Sequence, residues 1–447
     1  MAAVSREAAK RLHQAFSRLL RTGAWQLRLW DGTAVGGDGV ARFAVTLRSR
    51  RALDVLLGGL PERGFGRAYV AGDLDVEPLE PFLEAMARAR TSRLLAGWPA
   101  TLAAALRLGA RPSTGDPGDA QARLHGRRHS RERDTAAVRH HYDLPPDFYA
   151  LWLDRTLTYS CAYFVSPDTD IDTAQQAKLD LVCRKLRLRP GERLLDIGCG
   201  WGSLLLHAAQ HYGVGGVGIT LSPRQVAYAA DRAGALGLSS RVEFRLADYR
   251  DQSDERFDAV ASVGMIEHVG RKLLGTYAAS IQRALRPGGR ALVHGITCKP
   301  ATHLNRASFI NTFVFPDGEL EDVSSVVRAL EESGLEVRDT ESLREHYALT
   351  LQQWVARLDS NWDAAVRIAG VKRARVWRLY MLGSMVSFRA GSVSIHQTLA
   401  VRATDEGAAN LPLTRDEWYM KPVTAAAATG NGALSEHQPL QPHPASR

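Results

Sequence analysis

Hydrophobic and polar positions change their period along this chain. Up to residue 110 apolar residues recur mostly at helical spacing, broken by one alternating run, Ala41–Leu47, and by the glycine-rich stretch Gly64-Phe65-Gly66-Arg67-Ala68-Tyr69, which reads as a turn. This predicts a small α+β domain over residues 1–110. From Arg111 to Asp134 apolar residues nearly vanish. The segment is first Pro-, Gly- and Asp-rich and then basic, with Arg123, Arg127, Arg128, Arg131 and Arg133, and predicts a linker or mobile arm over 111–134. Periodic structure resumes at Thr135, where short apolar runs alternate with helical stretches in the manner of βαβ units. The runs are 193–197, 216–220, 242–246, 259–263, 290–295, 335–340 and 394–401. They give one α/β domain over 135–420, followed by an Ala-, Gly-, His- and Pro-rich tail, 421–447, with the composition of a disordered segment.

The first run ends in Asp196 and opens onto Gly198, Gly200 and Gly202, with Cys199 and Trp201 between them. Glycines at this spacing let a backbone approach a ligand and take positive φ, while the helix starting near Ser203 offers unpaired N–H groups. A dinucleotide loop would read G-x-G-x-x-G. This one reads G-x-G-x-G behind an acid and resembles motif I of the class I S-adenosylmethionine-dependent methyltransferases, in which the loop wraps an amino-acid tail. In open α/β sheets ligands bind beyond the carboxyl ends of the strands. There stand Thr220, Leu221 and Gln225 after the second run, whose neutral groups replace the acid that many such sheets offer to a ribose. Asp248 and Tyr249 follow the third run, the acid positioned for an adenine amino group, and Gly264-Met265-Ile266-Glu267-His268-Val269 follows the fourth.

Composition narrows the class. The chain has 447 residues, 45% of them hydrophobic, enough for two packed domains and a tail. Its longest apolar stretch, Trp98 to Ala110, contains Arg107 and is too short to cross a bilayer. The N-terminus, dotted with arginines and lysine, lacks the apolar region of a secretory signal. Cysteines 161, 183, 199 and 298 form no C-x-x-C pair, so neither zinc nor a disulfide framework is expected, and a reducing cytoplasm fits. A formal charge of +9 suits an anionic partner, nucleic acid or a membrane surface, and equally a solvated basic surface without a partner. The basic cluster lacks the interleaved aromatics of a base-stacking surface, which favours the membrane.

Upstream of the loop stand His140-His141-Tyr142-Asp143-Leu144, Thr158-Tyr159-Ser160-Cys161-Ala162-Tyr163-Phe164 and Ala174-Gln175-Gln176-Ala177-Lys178. With the glycine loop, Gly218-Ile219-Thr220-Leu221-Ser222 and Gly264 to Gly270, these resemble the cyclopropane-fatty-acyl-phospholipid synthase family, which includes the mycolic acid cyclopropane synthases. The resemblance runs from about 135 to 402, and the N-terminal part is similar to the small lipid-binding domain of full-length members. It implies a Rossmann-like seven-stranded sheet with helices on both faces. It also implies S-adenosyl-L-methionine as cofactor, held by Tyr159, Ser160, Asp196, Gly198, Gly200, Trp201, Gly202, Thr220, Leu221, Gln225, Asp248 and Tyr249. The implied reaction adds the cofactor's methyl carbon across a cis double bond of a phospholipid acyl chain, through a carbocation. A bicarbonate ion assists deprotonation, and the residues that hold it correspond to Cys161, Glu267, His294, Ile296 and Tyr347. Main-chain N–H groups near 161 and 296, with His294 and Tyr347, would be its donors, and Glu267 its acceptor. Tyr159, Tyr163, Phe164, Phe309, Phe313 and Phe315 are the expected aromatic walls for the cation. Two positions depart from the family pattern: Pro146-Asp147 stands where Asn-Asp is usual, and Ser384 stands where a cysteine aligns, which speaks against a covalent role there.

The expectation is therefore a cytoplasmic enzyme, peripheral to the inner face of the plasma membrane. It would act on unsaturated phospholipid acyl chains, with the Arg-rich segment helping to dock it, no nucleic-acid partner and no metal, and a homodimer left open. The same cofactor chemistry allows two other outcomes, a methylene-branched fatty acid formed after a hydride shift and methylation of a soluble small molecule. A nucleic-acid-modifying protein or a non-catalytic lipid carrier would lack a reason for this combination of motifs.

Overall fold

Four short strands build the N-terminal sheet: β1 (Trp25–Arg28), β2 (Ala34–Gly36), β3 (Phe43–Leu47) and β4 (Leu74–Glu77), in the order β2-β1-β3-β4. Burial alternates along β3, with Phe43, Val45 and Leu47 turned into the core, as a half-buried strand requires. Only β3 announces itself in the sequence, because three- or four-residue strands repeat their period too few times to be read. The glycine-rich stretch 64–69 is not a turn. It lies inside the helix Pro61–Ala71, and its glycines serve close packing. A Cβ on Gly64 would stand 2.5 Å from the Leu56 carbonyl oxygen of the preceding helix, and one on Gly66 would strike the Phe309 ring.

The remaining strands are β5 (Arg193–Ile197), β6 (Gly215–Thr220), β7 (Val242–Leu246), β8 (Phe257–Val263), β9 (Leu285–Cys298), β10 (Glu321–Asp322), β11 (Glu336–Ser342) and β12 (Val393–Val401). Seven of them run in the order β11-β12-β9-β8-β5-β6-β7, and β10 pairs with the end of β9. β12 is antiparallel to both neighbours, whereas β9, β8, β5, β6 and β7 are parallel, with helices in the β5–β6, β6–β7 and β8–β9 connections. This is the Rossmann-like α/β sheet expected, and its seven runs fall close to their predicted positions.

Apolar side chains gather in two cores. One joins Leu195, Val260 and Val293 of the sheet to the helices Leu274–Ala284 and Val323–Glu332. The larger one runs without a break from the N-terminal sheet into Trp152, Trp354, Trp377 and Tyr380 of the catalytic part. Residues 1–411 form one compact unit, and a second begins at Pro412. This computed structural model describes residues 5–419 except 38–39, 59–60, 90, 114–120, 122–123, 143, 252–253, 301 and 303–307. Arg123, Asp143 and the tail 421–447 therefore lie outside the described residues. No described helix is long and apolar enough to cross a membrane.

Candidate active site

β5 hands the chain to the helix Ser203–Tyr212 through Gly198, Gly200 and Gly202, at φ of 76°, 53° and 83°. The N–H groups of Gly198 and Cys199 both donate to the Ile219 carbonyl on β6, at 2.9 and 3.0 Å, which fixes the loop across the strand ends. The three glycines do different work. A Cβ on Gly198 would lie 2.5 Å from Met265, and one on Gly202 would lie 2.8 Å from the Phe244 ring and 2.9 Å from Ala229. A Cβ on Gly200 would meet nothing within 4 Å.

Gly200 lines a cleft of about 1280 Å³, open mouth included, at the carboxyl ends of β5, β6, β7 and β8. Tyr159, Ser160, Asp196, Gly198, Trp201, Thr220, Leu221, Gln225, Asp248 and Tyr249 line it too. Of the residues expected at the cofactor, only Gly202 stands back from it. Its role is to let the helix pack on Phe244. Thr220 Oγ1 donates to Gln225 Oε1 at 2.6 Å, which leaves the Gln225 amide nitrogen as a donor toward the cleft. Asp248 is tied to Arg250, whose backbone N–H and Nε both donate to Oδ1 and whose Nη2 donates to Oδ2 at 2.5 Å. The pairing holds the Asp248 carboxyl below its ordinary range despite burial, and leaves Oδ2 a second lone pair for a ligand.

Lys178 was missed as a site residue. It ends the Ala174 to Lys178 stretch on the helix Ile171–Lys185, lines the cleft, and is 2% exposed. Its Nζ donates to Ser160 Oγ at 2.8 Å, while Gln175, three positions earlier on the same helix face, donates to the carbonyls of Thr158 and Ser160 at 3.2 and 2.8 Å. The two side chains thus brace the 158–160 segment against the loop. Burial lowers Lys178 to about 8 and raises Asp196 to about 7, the lysine charge opposing the rise. A lysine interrupting an otherwise apolar helix face was the available signal.

Over the mouth lie Asp134, Ala137, Val138 and Tyr142 of the helix Arg131–Tyr142, with Pro316 and Asp317 from the loop beyond Phe313. Here the basic segment departs from the mobile arm expected of it. Arg133 grips Asp317 through Nε and Nη2, Arg128 Nη1 pairs with Glu319 at 2.8 Å, and Arg250 Nη2 reaches Asp134 at 3.0 Å. Arg131 pairs with Asp251. The partners are nearly two hundred residues away in sequence for Arg128 and Arg133, which is why the segment looked unattached. Arg128 and Arg133 thereby tie the segment to the loop that borders the cleft.

None of the residues expected at the bicarbonate lines the cleft: Glu267 and His294 stand toward the ends of β8 and β9, Cys161 follows the 158–160 segment, and Tyr347 lies on the helix Arg344–Ser360. Glu267 is buried. Its Oε1 accepts from the Ile296 N–H at 2.7 Å, its Oε2 has no partner, and burial raises it to about 7. The Ile296 N–H expected to meet an anion is therefore already occupied. His294 is 1% exposed. The Gln397 amide nitrogen faces its Nδ1 at 3.3 Å, which puts the ring proton on Nε2, also without a partner, and burial holds the ring well below its usual range and neutral. Cys161 is wholly buried with its thiol pushed up by desolvation, so it stays protonated, and its Sγ lies 3.3 Å from the Ala162 carbonyl. Tyr347 is buried, its hydroxyl held well above the ordinary range by desolvation, with Tyr380, Cys161 and Glu267 among the groups acting on it. Among the described residues, the His294 N–H and one Glu267 oxygen are left without partners, a donor and an acceptor of the types that a bicarbonate would need.

Of the aromatic walls expected, Tyr159 and Phe315 belong to one ring cluster: His141 stacks on Phe315 at 4.0 Å and on Tyr159 at 5.5 Å, and Trp377, Trp354 and Tyr380 close around them. Tyr163 and Phe164 pack on His346 instead, and Phe309 with Phe313 turns toward the helix Pro61–Ala71. Trp377, Trp354 and Tyr380 went unpredicted because they are scattered over two helices whose pairing the sequence does not reveal.

A family profile described as Mycolic acid cyclopropane synthetase matches residues 129–398. A probable fatty acid methyltransferase of Pseudomonas putida is 44% identical over 298 residues, covering 66% of this chain and 76% of its own. The cyclopropane-fatty-acyl-phospholipid synthase of Escherichia coli is 35% identical over 344 residues, covering 77% and 84%. Among solved structures, the mycolic acid cyclopropane synthase CmaA1 complexed with SAH and CTAB superposes with a TM-score of 0.56 at 34% identity, covering 60% of this chain and 97% of that one.

Proposed function

We propose, from the premise that this chain belongs to the mycolic acid cyclopropane synthetase family of S-adenosylmethionine-dependent methyltransferases acting on fatty-acyl chains, that it methylates a double-bond carbon of an unsaturated phospholipid acyl chain and yields a methylene branch. The observation that carries this reading is a shared wall: Tyr142 and Tyr159 face the cofactor cleft and also belong to the ring cluster around His141. An alkene brought against that wall meets the cleft on one side and aromatic faces on the other.

S-adenosylmethionine, when bound, supplies an electrophilic methyl on a sulfonium. The chain's part begins with exclusion of water, by the cover formed from the helix Arg131–Tyr142 and its clamped arginines. Asp196, Gln225 and Asp248 then orient the ligand from the strand ends. Transfer forms a carbon–carbon bond, breaks the sulfur–methyl bond, and leaves a carbocation on the neighbouring carbon of the acyl chain. The π faces of Tyr142, Tyr159 and Phe315 stabilise that charge without attacking it. A hydride shift to the cationic carbon, followed by loss of a proton from the new methyl, gives the methylene branch. Loss of the same proton before the shift closes a three-membered ring.

Ring closure is the second reading. The unpartnered atoms of Glu267 and His294, able to hold a bicarbonate close to the reacting end of the sheet, favour it, whereas the likeness to the Pseudomonas putida methyltransferase favours the branch. A phospholipid substrate follows the Escherichia coli relative's description, and a peripheral place at the cytoplasmic membrane face is the location such a substrate implies. The test is incubation of the protein with methyl-deuterated S-adenosylmethionine and monounsaturated phospholipid vesicles, followed by gas chromatography with mass spectrometry before and after mild hydrogenation. A branch keeps two deuterons and takes up two hydrogens. A ring keeps two deuterons and takes up none. Absence of label in the acyl chain refutes both.

A further inference from the structure

Three arginines of the basic segment, Arg128, Arg131 and Arg133, are engaged by Asp317, Glu319 and Asp251, so they offer little free charge to the anionic surface that a fatty-acyl substrate implies. Basic side chains without an ion pair do collect at another place. The helices Trp362–Ala369 and Val371–Arg389 meet at Gly370, and the tip between them exposes Arg367, Ile368, Val371 and Lys372, with Arg373 half-exposed below. Ile368 is 39% exposed and Val371 51%, two large aliphatic side chains set together among cations. Asp363 is the nearby acid on the first of these helices.

The tip adjoins a route inward. Arg373 lies at a small pocket between the helices Arg131–Tyr142 and Val371–Arg389, lined also by Leu144, Val376, Trp377 and His141. His141 and Trp377 are members of the ring cluster that faces the cofactor cleft, and His141 is 4.7 Å from the ring of Tyr142, which lines that cleft. One layer of rings thus separates the pocket from the place where the methyl is transferred.

We propose that the tip at residues 367–373 docks on an anionic phospholipid bilayer. Arg367, Lys372 and Arg373 meet lipid phosphates, and Ile368 and Val371 enter the acyl region. The proposal rests on the fatty-acyl reading. Charge alone would equally suit an acidic protein. The two exposed aliphatic side chains between the cations select a bilayer, where apolar groups gain from leaving water and each nearby basic side chain adds about 1 kcal/mol.

The test is co-sedimentation with vesicles of phosphatidylglycerol and phosphatidylcholine over a salt series, comparing the wild type with Arg367→Gln/Lys372→Gln, Ile368→Ser/Val371→Ser and, as a control on the clamped segment, Arg127→Gln/Arg131→Gln. The charge pair is expected to weaken binding on the order of 30-fold and to flatten its salt dependence, by about 1 kcal/mol for each cation removed. The aliphatic pair should weaken binding about as much at every salt concentration, and the control should bind like the wild type. All substituted positions are exposed, and unchanged thermal unfolding will show that the folds are intact. Loss in the control with retention in both tip variants overturns the proposal. So does loss in the charge pair alone, which assigns the tip to a soluble acidic partner. Wild-type methylation of detergent-dispersed lipid is measured in parallel: its absence would refute the fatty-acyl reading, whereas vesicle binding indifferent to the tip would refute only the docking site.

Discussion

Gly200→Val separates ligand contact from packing more cleanly than any other change in the loop. Residue 200 is at φ 53°, so a valine there pays the left-handed penalty of about 1–2 kcal/mol. No atom lies within 4 Å of its Cβ, so no further clash is added inside the protein. For a chain of this size the loss lowers the melting temperature by only about 1–2 °C. The two added methyl groups project where the cleft must admit a ligand, and overfilling a close-packed contact costs about 1–3 kcal/mol beyond the backbone contacts forfeited. S-adenosylmethionine affinity is therefore expected to fall at least about 100-fold, or about 3 kcal/mol. Gly202→Ala supplies the contrast: its Cβ would stand 2.8 Å from Phe244, so stability should suffer more than affinity. Isothermal calorimetry for affinity and thermal unfolding for stability read the two effects apart. A Gly200→Val protein that binds within about threefold of the wild type would refute the assignment of this loop.

Glu267→Gln should cut turnover far more than cofactor affinity, measured by steady-state kinetics beside calorimetry. It should also change the pH dependence of stability. The carboxyl is raised by burial from its ordinary value to about 7, so the folded state holds a proton that the unfolded state releases, and stability falls as pH rises from about 4.5 to 7, by on the order of 3 kcal/mol. The glutamine variant should lack that slope and melt higher than the wild type at pH 8. Lys178→Met removes the positive charge that opposes the rise of Asp196. Where the wild-type cofactor affinity improves as pH passes about 7, the variant's midpoint should move to higher pH, and an unmoved midpoint would separate Asp196 from the ligand. Arg133→Gln breaks the clamp to Asp317, and stopped-flow measurement should show faster cofactor dissociation with little change in association.

The catalytic sheet was legible because its strands are buried apolar runs punctuated by glycine, and because Asp196 and the three glycines stand at a strand end where ligands bind. Gly64 and Gly66 misled for a physical reason: a missing Cβ serves a turn and a close helix contact equally, and only the packed partners, Leu56 of the preceding helix and Phe309 far along the chain, decide between them. Arg128 and Arg133 looked free because Asp317 and Glu319 are remote in sequence. Lys178 was quoted within a motif but given no role, since periodicity does not show whether a lysine on a helix face reaches water.

The helix Val371–Arg389 does two jobs at once. On one side Arg375 donates to the carbonyl oxygens of Tyr69 and Leu74 and stacks 4.1 Å over the Tyr69 ring, while Arg389 pairs with Glu80. On the other side Trp377 and Tyr380 wall the aromatic cluster. A force applied to the first hundred residues is therefore delivered to the chamber's wall through this rigid rod, beside the Phe309 contact. Trimming the protein to its methyltransferase half would leave that rod anchored on one side only, with bare apolar surface where Phe65, Tyr69 and Phe82 had been.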